Sequence, residues 1–436
     1  MELRSLGPGV ELLVVPAVKF KTVVLRIHLR SDLDEHITAR NVIAAVLGRG
    51  TRSYPNLQAL NAKLDSLYGA AFVNDVNKVG DWHVHVFAMS LVSGRYVPQG
   101  DSLLSEGAGL LKEILLDPVR LNGSFVPSVV DGEKENLRRA LENQISDKAR
   151  YALLRHTELM FKGEPYGRNV LGRIEDLGGL TPELLWEKYR TWVGRAPITV
   201  LVGGDVEAGR LEDLFAGLAE GRAEAQPPKE RTELPPPGEV KEFTEEMDVQ
   251  QGKLCIGYRH GAVIGDPSLA AVQVMTGLLG GFPHAKLFQQ VRERESLAYA
   301  VSAFYDETKG VLVVTAGIDP GSYARVKELV FESVDQIGRG KFSREDLEAT
   351  KAGMVRRLQA VEDNLAAYLA EVYVHRLFGE EFSPAGAIRR IREVQAEEVC
   401  AAARSLALDT IYFLRSPSGR GDGGSGNMQA GRKDNE

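Results

Sequence analysis

The chain has 436 residues, 44% of them hydrophobic and 26% charged, which suits a soluble globular protein of roughly two or three domains of about 150 to 200 residues each. Its net charge of -7 is spread without a basic stripe, which argues against a nucleic-acid partner. Two cysteines, Cys255 and Cys400, are too few for a disulfide framework and fit a reducing, cytoplasmic compartment, and we expect neither a signal peptide nor a membrane-spanning segment.

Taken in order, apolar alternation over residues 10–30 predicts strand, and helical periodicity follows over 34–47 and 57–68. Strand patterns at 70–76 and 82–89 come next, and long helices over 124–147 and 149–161 close this part of the chain. Residues 222–239, RAEAQPPKERTELPPPGE, mix charge with proline runs and predict an extended, semi-rigid linker. Beyond it the same order returns: strand at 249–258, helices at 267–279 and 284–294, then strands at 297–305 and 311–318. Helices at 323–338 and 344–365 close this half, and from residue 416 a glycine-rich, polar tail is expected to be disordered.

The halves also match in letters. LNAKLDSLYGAAFVNDVNKVGDWHVHVFAM lies over LFQQVRERESLAYAVSAFYDETKGVLVVTAG, with Gly80 and Gly310 at corresponding turns. Strand runs and helix runs are grouped, so the expected class is α+β: two homologous repeats, each a mixed, mostly antiparallel sheet packed with helices. Coincidence between two common α/β patterns is the alternative. The expected division places the repeats at 1–221 and 240–415, with the linker at 222–239 between them and the tail at 416–436.

The order of motifs carries a further resemblance. GVELLVVP, GRGTRSYP, EPYGRNVLGRIEDLGGLTPELLWEKY, TVLVGGDV and GLLGGFPHAKLFQQVRERESLAYAVSAFY follow one another much as they do in the insulinase/pitrilysin family of zinc peptidases. The likeness runs to about residue 414, and the chain looks like the inactive bacterial members of that family. It implies a half-clamshell of the processing-peptidase kind.

Active members carry His-x-x-Glu-His on the first helix, shortly before the Gly-Thr that matches Gly50 and Thr51. Two imidazoles at i and i+4 share a helix face and can share a zinc ion, while the Glu between them activates the bound water. The matching residues here are Asn41, Ala44 and Ala45. The family's third ligand, a Glu on a later helix, falls on Ala140 in EKENLRRALEN; Glu142, two positions on, points about 200° away. The resemblance therefore implies no metal on this chain and no catalysis by it alone.

No other metal set is expected. Of the eight histidines, only His83 and His85 have ligand spacing, on a strand where i and i+2 share a face, and nothing nearby completes a tetrahedron. They read as two half-exposed strand histidines. His36 stands beside Glu35, but four residues on lies Arg40, which is no ligand.

What the resemblance retains is an Arg and a Tyr seven residues apart, which in the family reach the active site from the half opposite the zinc. They match Arg292 and Tyr299 in VRERESLAYAV; Arg294 is the weaker match. A phenol can donate to the oxyanion on a scissile carbonyl, and a guanidinium can hold a carbonyl or carboxylate with two parallel hydrogen bonds. From the residues alone, Arg292 could as well lay its stem on the core edge and Tyr299 pack on a sheet with its hydroxyl in water. The glycine-rich stretch 277–281 follows no strand and precedes no Lys-Ser/Thr pair, so we read a chain reversal there and no phosphate cradle.

The implied function is a non-catalytic subunit that pairs with a homologous His-x-x-Glu-His subunit. The partner would bring the zinc; this chain would bring Arg292, Tyr299 and half of a chamber around an unfolded peptide. A scaffold or peptide-binding protein on the same fold is the second possibility, and there Arg292 and Tyr299 would be incidental.

Overall fold

The computed structural model describes residues 1–417 apart from residues 99, 223–224, 230–233 and 236–237. Strands β1 (Glu2–Gly7), β2 (Val10–Pro16) and β3 (Thr22–Asp32) open the chain. Helices α1 (Ile37–Leu47) and α2 (Leu57–Ser66) lead into the hairpin β4 (Ala71–Val79) and β5 (Trp82–Val92). Next come α3 (Leu103–Leu116), the short ladder β6 (Arg120–Leu121) and β7 (Ser124–Phe125), α4 (Pro127–Ser146) and α5 (Lys148–Met160). Helix α6 (Pro182–Arg195), β8 (Ile198–Gly204) and α7 (Ala208–Phe215) finish the first half.

The second half runs β9 (Lys241–Glu246), β10 (Gly252–Arg259), α8 (Leu269–Thr276), β11 (Ala298–Asp306) and β12 (Val311–Ile318). It closes with α9 (Tyr323–Gly338), α10 (Arg344–Glu362), α11 (Leu365–Leu377), α12 (Pro384–Glu393), α13 (Ala396–Arg404) and β13 (Ala407–Arg415).

Local signals start several of these helices. Thr181 caps α6 by accepting from the Leu184 amide, with Pro182 in the first turn, and Leu185, Tyr189 and Trp192 bury one face. Ser343 and Asp346 form a reciprocal capping box on α10.

The first sheet has the order β1-β2-β8-β3-β5-β4 and the second β11-β12-β10-β13-β9. Apart from the extra edge strand β1, they match position for position. The β2–β8 and β9–β13 pairs are parallel, and the other ladders of both sheets are antiparallel. The fold is α+β and duplicated.

Helix α3 was not expected from the sequence. Gly107 and Gly109 weaken its helical pattern, and a Cβ at Gly107 would press on the Leu91 side chain, 2.5 Å from Cδ1. With α3 in place, α9 is its counterpart by order, and α4 and α5 correspond to α10 and α11. The closing helices therefore pair one step later than their sequence order suggested.

The halves exchange cover. Helix α5 packs on β10 and β13, where His156 lies 3.2 Å from the Thr410 carbonyl. In return α11 lays Leu365, Leu369, Val372 and Tyr373 on the first sheet beside Leu13, Val24 and Leu201. The turns at Gly80 and Gly310 also meet, through Gly80 N–H donating to Thr308 Oγ1 at 2.9 Å. Lys309, fully buried, holds Asp81 at 2.8 Å. Replacing Lys309 by Ala should cost on the order of 3 to 5 kcal/mol in urea unfolding, because a buried carboxylate loses its cation. A midpoint unchanged from the wild type would contradict this.

The described part of the linker lies against both halves: the Lys229 carbonyl accepts from Trp82 Nε1 and the Pro235 carbonyl from Arg259. Of the tail, only Ser416 and Pro417 lie within the described residues.

Candidate functional site

On α1, Asn41, Ala44 and Ala45 line one wall of a cleft of about 390 Å³, closed on other sides by α4 and β4. Both ends of the Asn41 amide are held. Its Nδ2 donates to the Val170 carbonyl at 2.9 Å, and its Oδ1 accepts from His85 Nε2 at 3.2 Å. Beside it, His83 donates to the same carbonyl at 3.0 Å and accepts from Arg40 Nε at 3.3 Å, while Asp34 holds Arg40 at 2.6 Å. An amide clamp and two methyl groups thus stand where the family motif would place imidazole and carboxylate. Among the described residues, no group of three or more His, Cys, Asp or Glu side chains is placed to hold a metal.

Ala140 does not line this cleft, although α4 packs on α1. Glu133 does. Two helical turns before Ala140, and so on the same face of α4, it is buried and paired with Arg49 at 2.6 Å, with Asn136 donating at 3.1 Å. Sequence reasoning passed over this carboxylate because three glutamates fall within ten residues of one helix, and only packing tells which is buried.

His83 and His85 are not half-exposed; their exposures are 0% and 1%. Strand β5 is interior to its sheet and buried on both faces, with His83 and His85 under α1 and α6 and Val84 and Val86 on the α11 side. Burial drives the pKa of His83 down to about 3 and that of His156 to about 4, and it takes His28 and His85 well below the usual range. These imidazoles stay neutral in the fold but protonate in the unfolded chain below about pH 6.5. Stability is therefore full above that value and is lost as pH falls towards the folded values. His83 and His156 should each withdraw about 2 kcal/mol between pH 7 and pH 5. Glu307, raised to about 7 by burial, gains its proton more readily when folded and offsets about 2 kcal/mol of that loss. His28 and His85 act in the same direction as His83, so the urea midpoint should fall clearly between pH 7 and pH 5. Equal midpoints would contradict the buried neutral histidines.

In the second half, Arg292 belongs to a π-helical stretch, Phe288–Arg294, and lies 4.7 Å over the Phe288 ring. Leu287 and Val291 are buried beneath it. The following turn is fixed: Ser296 takes φ +52°, the Leu297 N–H donates to the Val291 carbonyl, and Arg325 grips Glu295 at 2.6 and 3.0 Å. Tyr299 comes next, on β11, the outer strand of the second sheet. The β11–β12 register slips between Ala298 and Ala300, so Tyr299 sits at a bulge and is 77% exposed. Arg292 and Tyr299 thus flank one rigid turn at one free sheet edge. Arg294, also exposed, lies on the same turn of helix.

The glycines at 277–281 carry a kink at Gly280, after which Phe282 is extended. Before that kink the chain continues α8 as a π-helical turn, and the stretch Gly277–Gly281 packs on β11. A Cβ at Gly280 would lie 2.6 Å from the Ala303 amide nitrogen, so glycine is what permits that close approach.

A family profile described as the peptidase M16 inactive domain matches residues 179–354. The probable inactive metalloprotease YmfF of Bacillus subtilis is 33% identical over 421 residues, covering 96% of this chain and 98% of YmfF. The crystal structure of a conserved protein from Enterococcus faecalis superposes with a TM-score of 0.91 at 31% identity, covering 96% of this chain and 99% of that one. A peptidase M16 inactive domain from Pseudomonas fluorescens shares the fold, with a TM-score of 0.78 at 17% identity over 97% of this chain and 100% of its own. No helix among the described residues is long and apolar enough to cross a membrane.

Proposed function

Because this chain belongs to the M16 peptidase family, as an inactive homologue, we propose that it is the non-catalytic subunit of a two-subunit zinc peptidase. Its partner is a homologous chain with an intact His-x-x-Glu-His helix, which supplies zinc, water and base in the cytoplasm. This chain supplies Arg292 and Tyr299 and half of the chamber. Unfolded peptides enter by adding a strand to an exposed sheet edge, which reads backbone more than side chain.

One observation carries the reading. Tyr299 stands 77% exposed beside a turn braced by Arg325 and Glu295, a large aromatic held out at a sheet edge. Its hydroxyl is available to a substrate carbonyl in a closed complex, while α1 offers nothing to a metal. The test compares peptide hydrolysis by each subunit alone and by the mixture. Activity is expected only in the mixture, and a chelator should abolish it. If Arg292→Ala/Tyr299→Phe left turnover and complex formation unchanged, the scaffold reading would replace this one.

A further inference from the structure

We propose that the second half carries a binding cleft for an aromatic acid, a flat ring bearing a carboxylate, at the place where the first half seats one of its own tryptophans. The proposal goes beyond the pairing with a zinc subunit and does not depend on it. The duplicated fold supplies the comparison. Helix α6 leads into β8 as α13 leads into its counterpart β13. Counted from the N-caps Thr181 and Gln395, Leu185 matches Val399, and both are buried. By the same count Trp186 matches Cys400 and Tyr189 matches Ala403. Likewise Phe125 and Phe342 each stand one residue before an N-cap, that of α4 and that of its counterpart α10.

In the first half these side chains close on one another. The Trp186 ring lies 5.3 Å from Phe125 and 5.0 Å from Tyr189, and Arg120 sets its guanidinium 5.4 Å over it. In the second half the indole has shrunk to a thiol and the phenol to a methyl, and space opens at both places. A cleft of about 730 Å³ is lined by Phe342, Leu347, Val394 and Cys400. A second, of about 500 Å³, is lined by Ala403 and shares Arg339 and Arg404 with the first. The aromatic wall and the guanidinium groups are kept, without the indole between them.

Charge sets the other requirement. Arg344 lines the larger cleft, is exposed, and its guanidinium has no hydrogen-bond or ion-pair partner among the described residues. Arg404 spends one N–H on the Gly338 carbonyl at 2.7 Å. Arg339 is held by Asp335 at 3.0 Å and Lys351 by Glu348 at 3.2 Å, which leaves Glu397 as the remaining carboxylate of the lining. Two guanidinium groups thus face one carboxylate. A guanidinium can stack on a ring face and can hold a carboxylate with two parallel hydrogen bonds, so an aryl acid answers both the missing indole and the surplus positive charge.

The test uses the whole purified chain, without a partner, and indole-3-propionate as the probe. Calorimetry should show one site with a Kd below about 1 mM, and indole or cyclohexylpropionate should each bind roughly fivefold or more weaker. Cys400 gives a second readout, because Cys255 is buried and its thiol is pushed up to about 12. A thiol reagent therefore reports on Cys400, and saturating probe should slow that reaction about fivefold or more. Arg344→Ala should remove the advantage of the acid over indole and leave indole binding in place. Cys400→Trp should abolish binding of the probe with a urea midpoint at or above that of the wild type. No binding and no protection of Cys400, an acid preference untouched by Arg344→Ala, or full binding by folded Cys400→Trp would overturn the proposal. Tighter binding of N-acetyltryptophanamide than of indole-3-propionate would overturn it too, in favour of a seat for another protein's aromatic side chain.

Discussion

Substituting Phe for Tyr299 is expected to lower kcat of the paired enzyme by roughly 10²- to 10³-fold while changing KM little, the size of effect seen when one preorganised oxyanion donor is removed. The hydroxyl meets the substrate oxygen only as charge develops on it, so its loss falls on the transition state and spares ground-state binding. The fold should be untouched, because the side chain is 77% exposed and the turn before it is held by Glu295, Arg325 and the Leu297 amide. Arg292→Lys keeps the charge but loses the two-pronged geometry of the guanidinium, so it should raise KM more than it lowers kcat. Steady-state kinetics with the zinc subunit held constant checks both. A Tyr299→Phe enzyme as fast as the wild type would remove this chain from the chemistry.

Residues 1–221 expressed alone should fail to fold, and so should residues 240–417. Leu365, Leu369, Val372 and Tyr373 of α11 cover the first sheet, and all four are buried there. Each is worth about 1.5 to 3 kcal/mol, so their joint loss, on the order of 6 to 12 kcal/mol, matches the whole stability of a typical domain. The second sheet depends in the same way on Ala152 and His156 of α5, packed beside Cys255, Tyr412 and the Thr410 carbonyl. Coexpressed, the two fragments should associate and recover the native circular dichroism spectrum. A soluble fragment 1–221 that unfolds cooperatively by itself would show that the exchanged helices are dispensable.

The duplication and the erased metal helix were legible in the sequence because both are written as letters at fixed spacing. Gly80 matches Gly310, and Asn41, Ala44 and Ala45 fall at counted distances before Gly50 and Thr51. Long-range packing was not legible. Lys309, in the sequence ETKG, reads as a solvated turn lysine, yet it is fully buried against Asp81, some two hundred residues away along the chain. His83 and His85 have the alternation of a half-exposed strand, and only α1, α6 and the interior position of β5 bury them. Glu133 gives no local sign that Arg49 will neutralise it. Helix α3 was hidden by Gly107, which lies against the Leu91 side chain, and by Gly109, which faces open space. In each case the deciding partner comes from another element, which periodicity within one segment cannot reveal.

The claim beneath all of this is that α1 offers no grip to a divalent cation. It is tested by equilibrating the purified chain with zinc, removing free metal by gel filtration and measuring zinc per chain by mass spectrometry. The structure predicts a content far below one. About one zinc per chain, lost on Asn41→Ala or His85→Ala, would contradict it.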